Sequence, residues 1–71
     1  MQVTPEGWLY LVGWGSRSQN LRGWQIGIAT TLAGYAAASW TKVPSQKQAK
    51  QGNEILRVAE QHRAWPMPDD E

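Results

Sequence analysis

The sequence has no cysteine and no phenylalanine, and only one of its 71 residues is histidine. Without cysteine the chain can form neither disulfides nor thiolate metal sites, which often stabilise proteins of this size. A single histidine cannot form a histidine cluster, so we expect no metal site and no cofactor. Seven basic and six acidic residues leave a formal net charge of +1, which gives no electrostatic reason to expect nucleic-acid binding.

The longest stretch without a charged residue is 23–41, GWQIGIATTLAGYAAASWT. A cation and a tryptophan mark each end of it: Arg22 and Trp24 at the start, Trp40 and Lys42 at the finish. A helix of this length spans roughly 28 Å, close to the hydrocarbon thickness of a bilayer, and tryptophan and flanking cations are typical of membrane interfaces. The pattern predicts a single transmembrane helix at about residues 21–43. The alternative is a buried Ala-rich helix in a small soluble protein, because the hydropathy of the window is marginal.

Small residues recur at four-residue spacing along this predicted helix. They form two adjacent rows: Ala29, Ala33 and Ala37, and beside them Thr30, Gly34 and Ala38. On a helix this spacing places each row on one side, where small side chains let two backbones approach closely. We predict that these six residues are the interface through which the helix packs on other helices.

Residues 1–20 contain a helix start followed by a short apolar run. Thr4 suits the N-cap and Pro5 suits the first helical position, while the run from Trp8 to Trp14 is too short to span a bilayer. We predict a segment that lies at the membrane surface or docks on a partner, and a short buried strand at 9–12 is the alternative. The predicted membrane-interface anchors are Trp8, Trp14, Trp24, Trp40, Arg22 and Lys42.

Residues 44–64 predict a polar amphipathic helix that begins after Pro44. Ser45 and Gln48 have the spacing of a capping box, and a narrow apolar stripe follows. We predict a partner-docking arm made of Ile55, Leu56, Ala59 and Trp65. An exposed, partly frayed helix is the alternative. Residues 65–71 predict an extended acidic tail, which either contacts a neighbour or is disordered.

The sequence offers little chemistry. Gly13 and Gly15 resemble a fragment of a nucleotide-binding loop, but that motif needs further glycines between a strand and a helix. His62 has no second histidine or cysteine near it, and nothing around it forms a haem pocket. Hydroxyl groups are present without a credible base. We therefore expect no catalytic, cofactor-binding or metal-binding residues, and no enzyme activity.

These features together predict an all-α chain with no independent globular core. The helix between Trp24 and Trp40, its Ala29/Ala33/Ala37 face and the arm after Pro44 resemble the small single-pass supernumerary subunits of respiratory-chain and related energy-transducing complexes. The resemblance implies a non-catalytic structural or assembly subunit in the mitochondrial inner membrane, or in a bacterial or thylakoid membrane, with other subunits and the lipid bilayer as partners. The alternatives are a small soluble adaptor that oligomerises through its Ala-rich helix, and a small regulatory membrane peptide.

Overall fold

The computed structural model describes residues 3–66, which contain three α-helices: α1 (Pro5–Ser18), α2 (Gly23–Ala37) and α3 (Gln46–Gln61). The start of α1 confirms the cap read from the sequence, because Thr4 Oγ1 accepts a hydrogen bond from the Gly7 N–H at 3.1 Å. The run from Trp8 to Trp14 is helical and lies within α1, so the alternative of a short strand at 9–12 is wrong.

A tight turn joins α1 to α2. Gln19 ends α1 in the left-handed region at φ 60°, and Leu21 folds back onto α1 with 5% of its surface exposed. Gly15 makes room for this side chain, because a Cβ atom at Gly15 would lie 2.6 Å from Leu21 Cγ. At the start of α2, Gln25 Oε1 accepts a hydrogen bond from the Arg22 N–H at 2.8 Å. The guanidinium of Arg22 has no acceptor, so the side chain of Gln25 supplies the cap.

The end of α2 comes earlier than the sequence predicts. The Ser39 N–H donates to Ala36 O and the Trp40 N–H to Tyr35 O, each at 2.9 Å. Ser39 and Trp40 both have left-handed backbones, with φ 57° and 59°. These backbone hydrogen bonds satisfy carbonyls of the last helical turn and redirect the chain, as in a Schellman-type helix end. The helix therefore stops at Ala37, and the prediction that it continues to about residue 43 is wrong.

α3 begins with the capping box that its sequence predicts. Ser45 Oγ accepts from the Gln48 N–H at 3.1 Å, and Gln48 Oε1 accepts from the Ser45 N–H at 2.9 Å. An exposed ion pair at i,i+3 spacing joins Glu54 and Arg57 at 3.2 Å. Because it is open to solvent, the pair adds at most about 0.5 kcal/mol to helix stability.

The three helices share one hydrophobic core, in which α2 packs against both α1 and α3. Six of its side chains have no exposed surface: Trp8 and Leu11 from α1, Ala29 and Leu32 from α2, and Ile55 and Ala59 from α3. The small side chains of α2 let its neighbours approach closely, while indole, leucine and isoleucine side chains fill the remaining space.

The prediction of a transmembrane chain without its own core is wrong on both points. No helix within residues 3–66 combines the length and the apolar character that crossing a membrane requires. At about 1.5 Å per residue the 15 residues of α2 extend only about 22 Å. The Cα radius of gyration is 11.3 Å, close to the roughly 11 Å expected for a folded domain of this length. Burial of one side of α2 in the core of this domain accounts for the absence of charge on that side of the helix.

Candidate functional site

The inner side of α2 contains part of the predicted packing interface. Ala29 has no exposed surface and Ala33 has 5%, and both lie in the core of the chain. Their small side chains do form a helix-packing face, but α1 and α3 of the same chain are the elements that cover it. The prediction that these two alanines contact another protein is therefore wrong.

The opposite side of α2 is exposed along its full length. We call it the outward face, and it consists of Gly23, Gly27, Thr30, Thr31, Gly34 and Ala38, with Trp24 at one edge. Half of the predicted interface, Thr30, Gly34 and Ala38, lies on this face, and Ala37 is exposed beside it. The hundred-degree rotation per residue separates neighbours such as Ala33 and Gly34, so that one lies inside and the other outside.

The backbone of α2 is open to approach at the three glycines of the outward face. A Cβ atom added at Gly23, Gly27 or Gly34 would have no atom of residues 3–66 within 4 Å, apart from its chain neighbours and the backbone of its own helix. None of the three has a positive φ, so their backbone conformations are accessible to any residue. Gly27 and Gly34 lie inside the helix, where each is less favourable than alanine by roughly 0.5–1 kcal/mol. Nothing within the described chain requires glycine at these two positions.

The hydroxyl groups of the two threonines on the outward face already donate hydrogen bonds within α2. Thr30 Oγ1 donates a hydrogen bond to Ile26 O at 2.9 Å, and Thr31 Oγ1 donates to Gly27 O at 3.0 Å. Both hydroxyl hydrogens are therefore used within the helix, and no unpaired hydroxyl donor remains on this face. A partner that covers these threonines does not leave a donor buried without an acceptor.

The outward face contains no charge, and its one bulky side chain is at its edge. Between Arg22 and Lys42 no residue is charged, so burial of this face removes no ion from water. Trp24 leaves 53% of its surface exposed, an unusually large share for a tryptophan. The surface is thus suited to van der Waals contact with another apolar surface.

The predicted membrane-interface anchors differ widely in how much of their surface is exposed. Trp8 has no exposed surface and is a core residue, so its predicted role as an anchor is wrong. Its indole Nε1 is buried and has no hydrogen-bond partner among residues 3–66. Trp14 and Trp40 are partly buried against the core, and the three exposed members of the set are Trp24, Arg22 and Lys42.

The predicted docking arm is folded onto its own chain. Ile55 and Ala59 have no exposed surface, and Leu56 is partly buried beside them. The ring of Trp65 lies 6.4 Å from that of Tyr10 between centroids and packs over Gly7, where a Cβ atom would approach Trp65 Cη2 to 2.8 Å. Ile55 and Ala59 therefore hold α3 on its own domain and are not available to a partner, while a contact of the partly exposed Leu56 and Trp65 with a partner stays a prediction.

His62 and the last residues complete the set of positions singled out in the sequence. The imidazole of His62 is exposed at the end of α3, with its centroid 6.0 Å from the ring of Trp14. Within residues 3–66 no three histidine, cysteine, aspartate or glutamate side chains converge as metal ligands would. Of the predicted acidic tail, residues 67–71 lie outside the described part of the chain.

Sequence reasoning missed Gly23, Gly27 and Thr31 as members of the outward face. The signal was available, because Gly23, Gly27 and Gly34 are separated by four and seven residues and share one side of a helix. The prediction was based first on the more regular alanine row, of which Ala29 and Ala33 lie on the inner side of α2. No protein-family model, curated protein or solved structure matches this chain.

Proposed function

We propose that this chain is a non-catalytic adaptor, a small accessory protein that binds a helix of another protein through the outward face of α2. The observation that carries the proposal is the open backbone at Gly27 and Gly34. Each glycine lowers the intrinsic stability of α2 relative to alanine, and the folded chain gains no compensating contact there. Close approach of a second helix supplies the missing compensation.

The chemistry of the outward face supports a helix as the partner. Helices normally pack with their axes 8–10 Å apart, at a distance set by the side chains between them. Glycines on one helix bring the backbones closer and strengthen van der Waals and Cα–H···O contacts. Thr30 and Thr31 donate their hydroxyl hydrogens to backbone carbonyls of their own helix. A partner helix can therefore exclude water from the contact without leaving these donors unpaired.

The size of the face indicates a reversible contact. A strip about 22 Å long and 10–12 Å wide buries roughly 440–530 Å² in total over both partners, compared with roughly 1,200–2,000 Å² for stable complexes. We expect dissociation constants in the micromolar range for α2 alone. Tighter binding requires a partner that also covers neighbouring surfaces of the domain.

A second copy of the chain is the second candidate partner, favoured by the shape of the face. Trp24 projects near one end of α2, and the other end has only small residues at Gly34 and Ala38. In an antiparallel pair of α2 helices with a two-fold axis near residue 30, each Trp24 lies over the small end of the other copy. Such a contact is self-complementary, as two-fold interfaces must be.

The membrane complex of the sequence-based hypothesis stays a prediction about the setting of the partner. It now concerns a subunit attached through the outward face, because no helix within residues 3–66 is long and apolar enough to span a membrane. Native electrophoresis of membranes solubilised directly in mild detergent, without a carbonate wash that would strip a subunit held only by protein contacts, tests it. Co-migration with a large membrane assembly supports that setting, and complete absence of the chain from membranes and from such assemblies contradicts it.

The decisive experiment replaces Gly34 by leucine and compares the variant with Asn53→Leu, which places the same apolar side chain at an exposed position of α3. A photo-crosslinking residue at Thr31 reports contacts of the outward face in cells that naturally produce the chain, and sedimentation velocity reports self-association. We expect Gly34→Leu to keep the helical circular dichroism of the parent and to weaken the Thr31 crosslink or self-association at least tenfold. Asn53→Leu should change neither.

The arms of this experiment separate the candidates. A crosslink to another protein supports the adaptor, and a crosslink to the same chain with a concentration-dependent sedimentation coefficient supports self-association. If Thr31 gives no crosslink above that of a reference site at Gln61, and the chain stays monomeric at high concentration, the outward face is not a binding surface. An unchanged crosslink in Gly34→Leu likewise contradicts the proposal.

A further inference from the structure

We draw no further inference here: the strongest candidate, the outward face of α2 as a surface for one particular partner, belongs to the site already described, and nothing in the structure shows what covers it.

Discussion

Alanine substitution at two glycines, one on each side of the fold, tests the structure directly. Gly15 lies in α1 against Leu21, and Gly27 lies on the outward face of α2. In both helices alanine has the higher intrinsic propensity, by roughly 0.5–1 kcal/mol. Only the packing around each position distinguishes the two substitutions. A difference between their effects on the free energy of unfolding therefore tests whether Gly15 is packed as the structure shows.

At Gly15 the new methyl group has no room. It would lie 2.6 Å from Cγ and 2.8 Å from Cβ of Leu21, which is 5% exposed and therefore cannot move without opening the turn between α1 and α2. Overpacking of this kind destabilises by about 1–3 kcal/mol, an amount that outweighs the gain in propensity. At Gly27 a Cβ atom would meet nothing in the described chain within 4 Å beyond its own helix backbone and chain neighbours, so the full gain of about 0.5–1 kcal/mol is retained.

Urea unfolding followed by tryptophan fluorescence and by far-ultraviolet circular dichroism measures both free energies. We expect Gly15→Ala to lower the unfolding free energy by about 1–2 kcal/mol and Gly27→Ala to raise it by about 0.5–1 kcal/mol. For a domain of this size, 1 kcal/mol corresponds to roughly 4–8 °C in Tm. If both substitutions raise the free energy of unfolding, Leu21 does not pack on Gly15, and this result contradicts the described conformation of the turn between α1 and α2.

Four further substitutions test local features of the fold, and the same unfolding assay measures the stability of each variant. Thr4→Ala removes the side-chain cap of α1 and should lower stability by about 1 kcal/mol; no loss would show that the helix does not start there. Leu32→Ala removes a side chain without exposed surface and should destabilise by about 2–5 kcal/mol, while Leu9→Ala, at 56% exposure, should change it by less than about 1 kcal/mol. Gln19→Gly relieves a left-handed backbone and should stabilise by roughly 0.5–1 kcal/mol, an effect that a helical Gln19 would reverse.

Local signals near the helix starts could be predicted from the sequence. Thr4 with Pro5, and Ser45 with Gln48, each satisfy backbone groups within one turn, so their geometry depends on few neighbours. The ends of the helices were harder to predict. α2 stops through two left-handed residues, Ser39 and Trp40, which are neither glycine nor asparagine and give no conventional stop signal.

The wrong prediction of a transmembrane helix at residues 21–43 has a physical origin in the small, uncharged residues of that stretch. Absence of charge over residues 23–41 is compatible with lipid on all sides, or with a core on one side and an uncharged exposed surface on the other. The sequence pattern does not show that Trp8 and Ile55 join Ala29 and Ala33 in one core, because this core brings together distant parts of the chain. For the same reason the apolar stripe of α3 could not be assigned to the chain's own core.

The two sides of α2 use small residues for different purposes, and this difference carries the functional argument. On the inner side Ala29 and Ala33 are required by packing, since larger side chains would collide with α1 or α3. On the outward side no such collision exists, and alanine at Gly27 or Gly34 would strengthen the helix. The folded monomer gives no packing reason for glycine at these two positions, and we propose that a requirement for close approach by a partner from outside accounts for them. Glycine meets that requirement where alanine does not, because only glycine removes the last atom between two helix backbones.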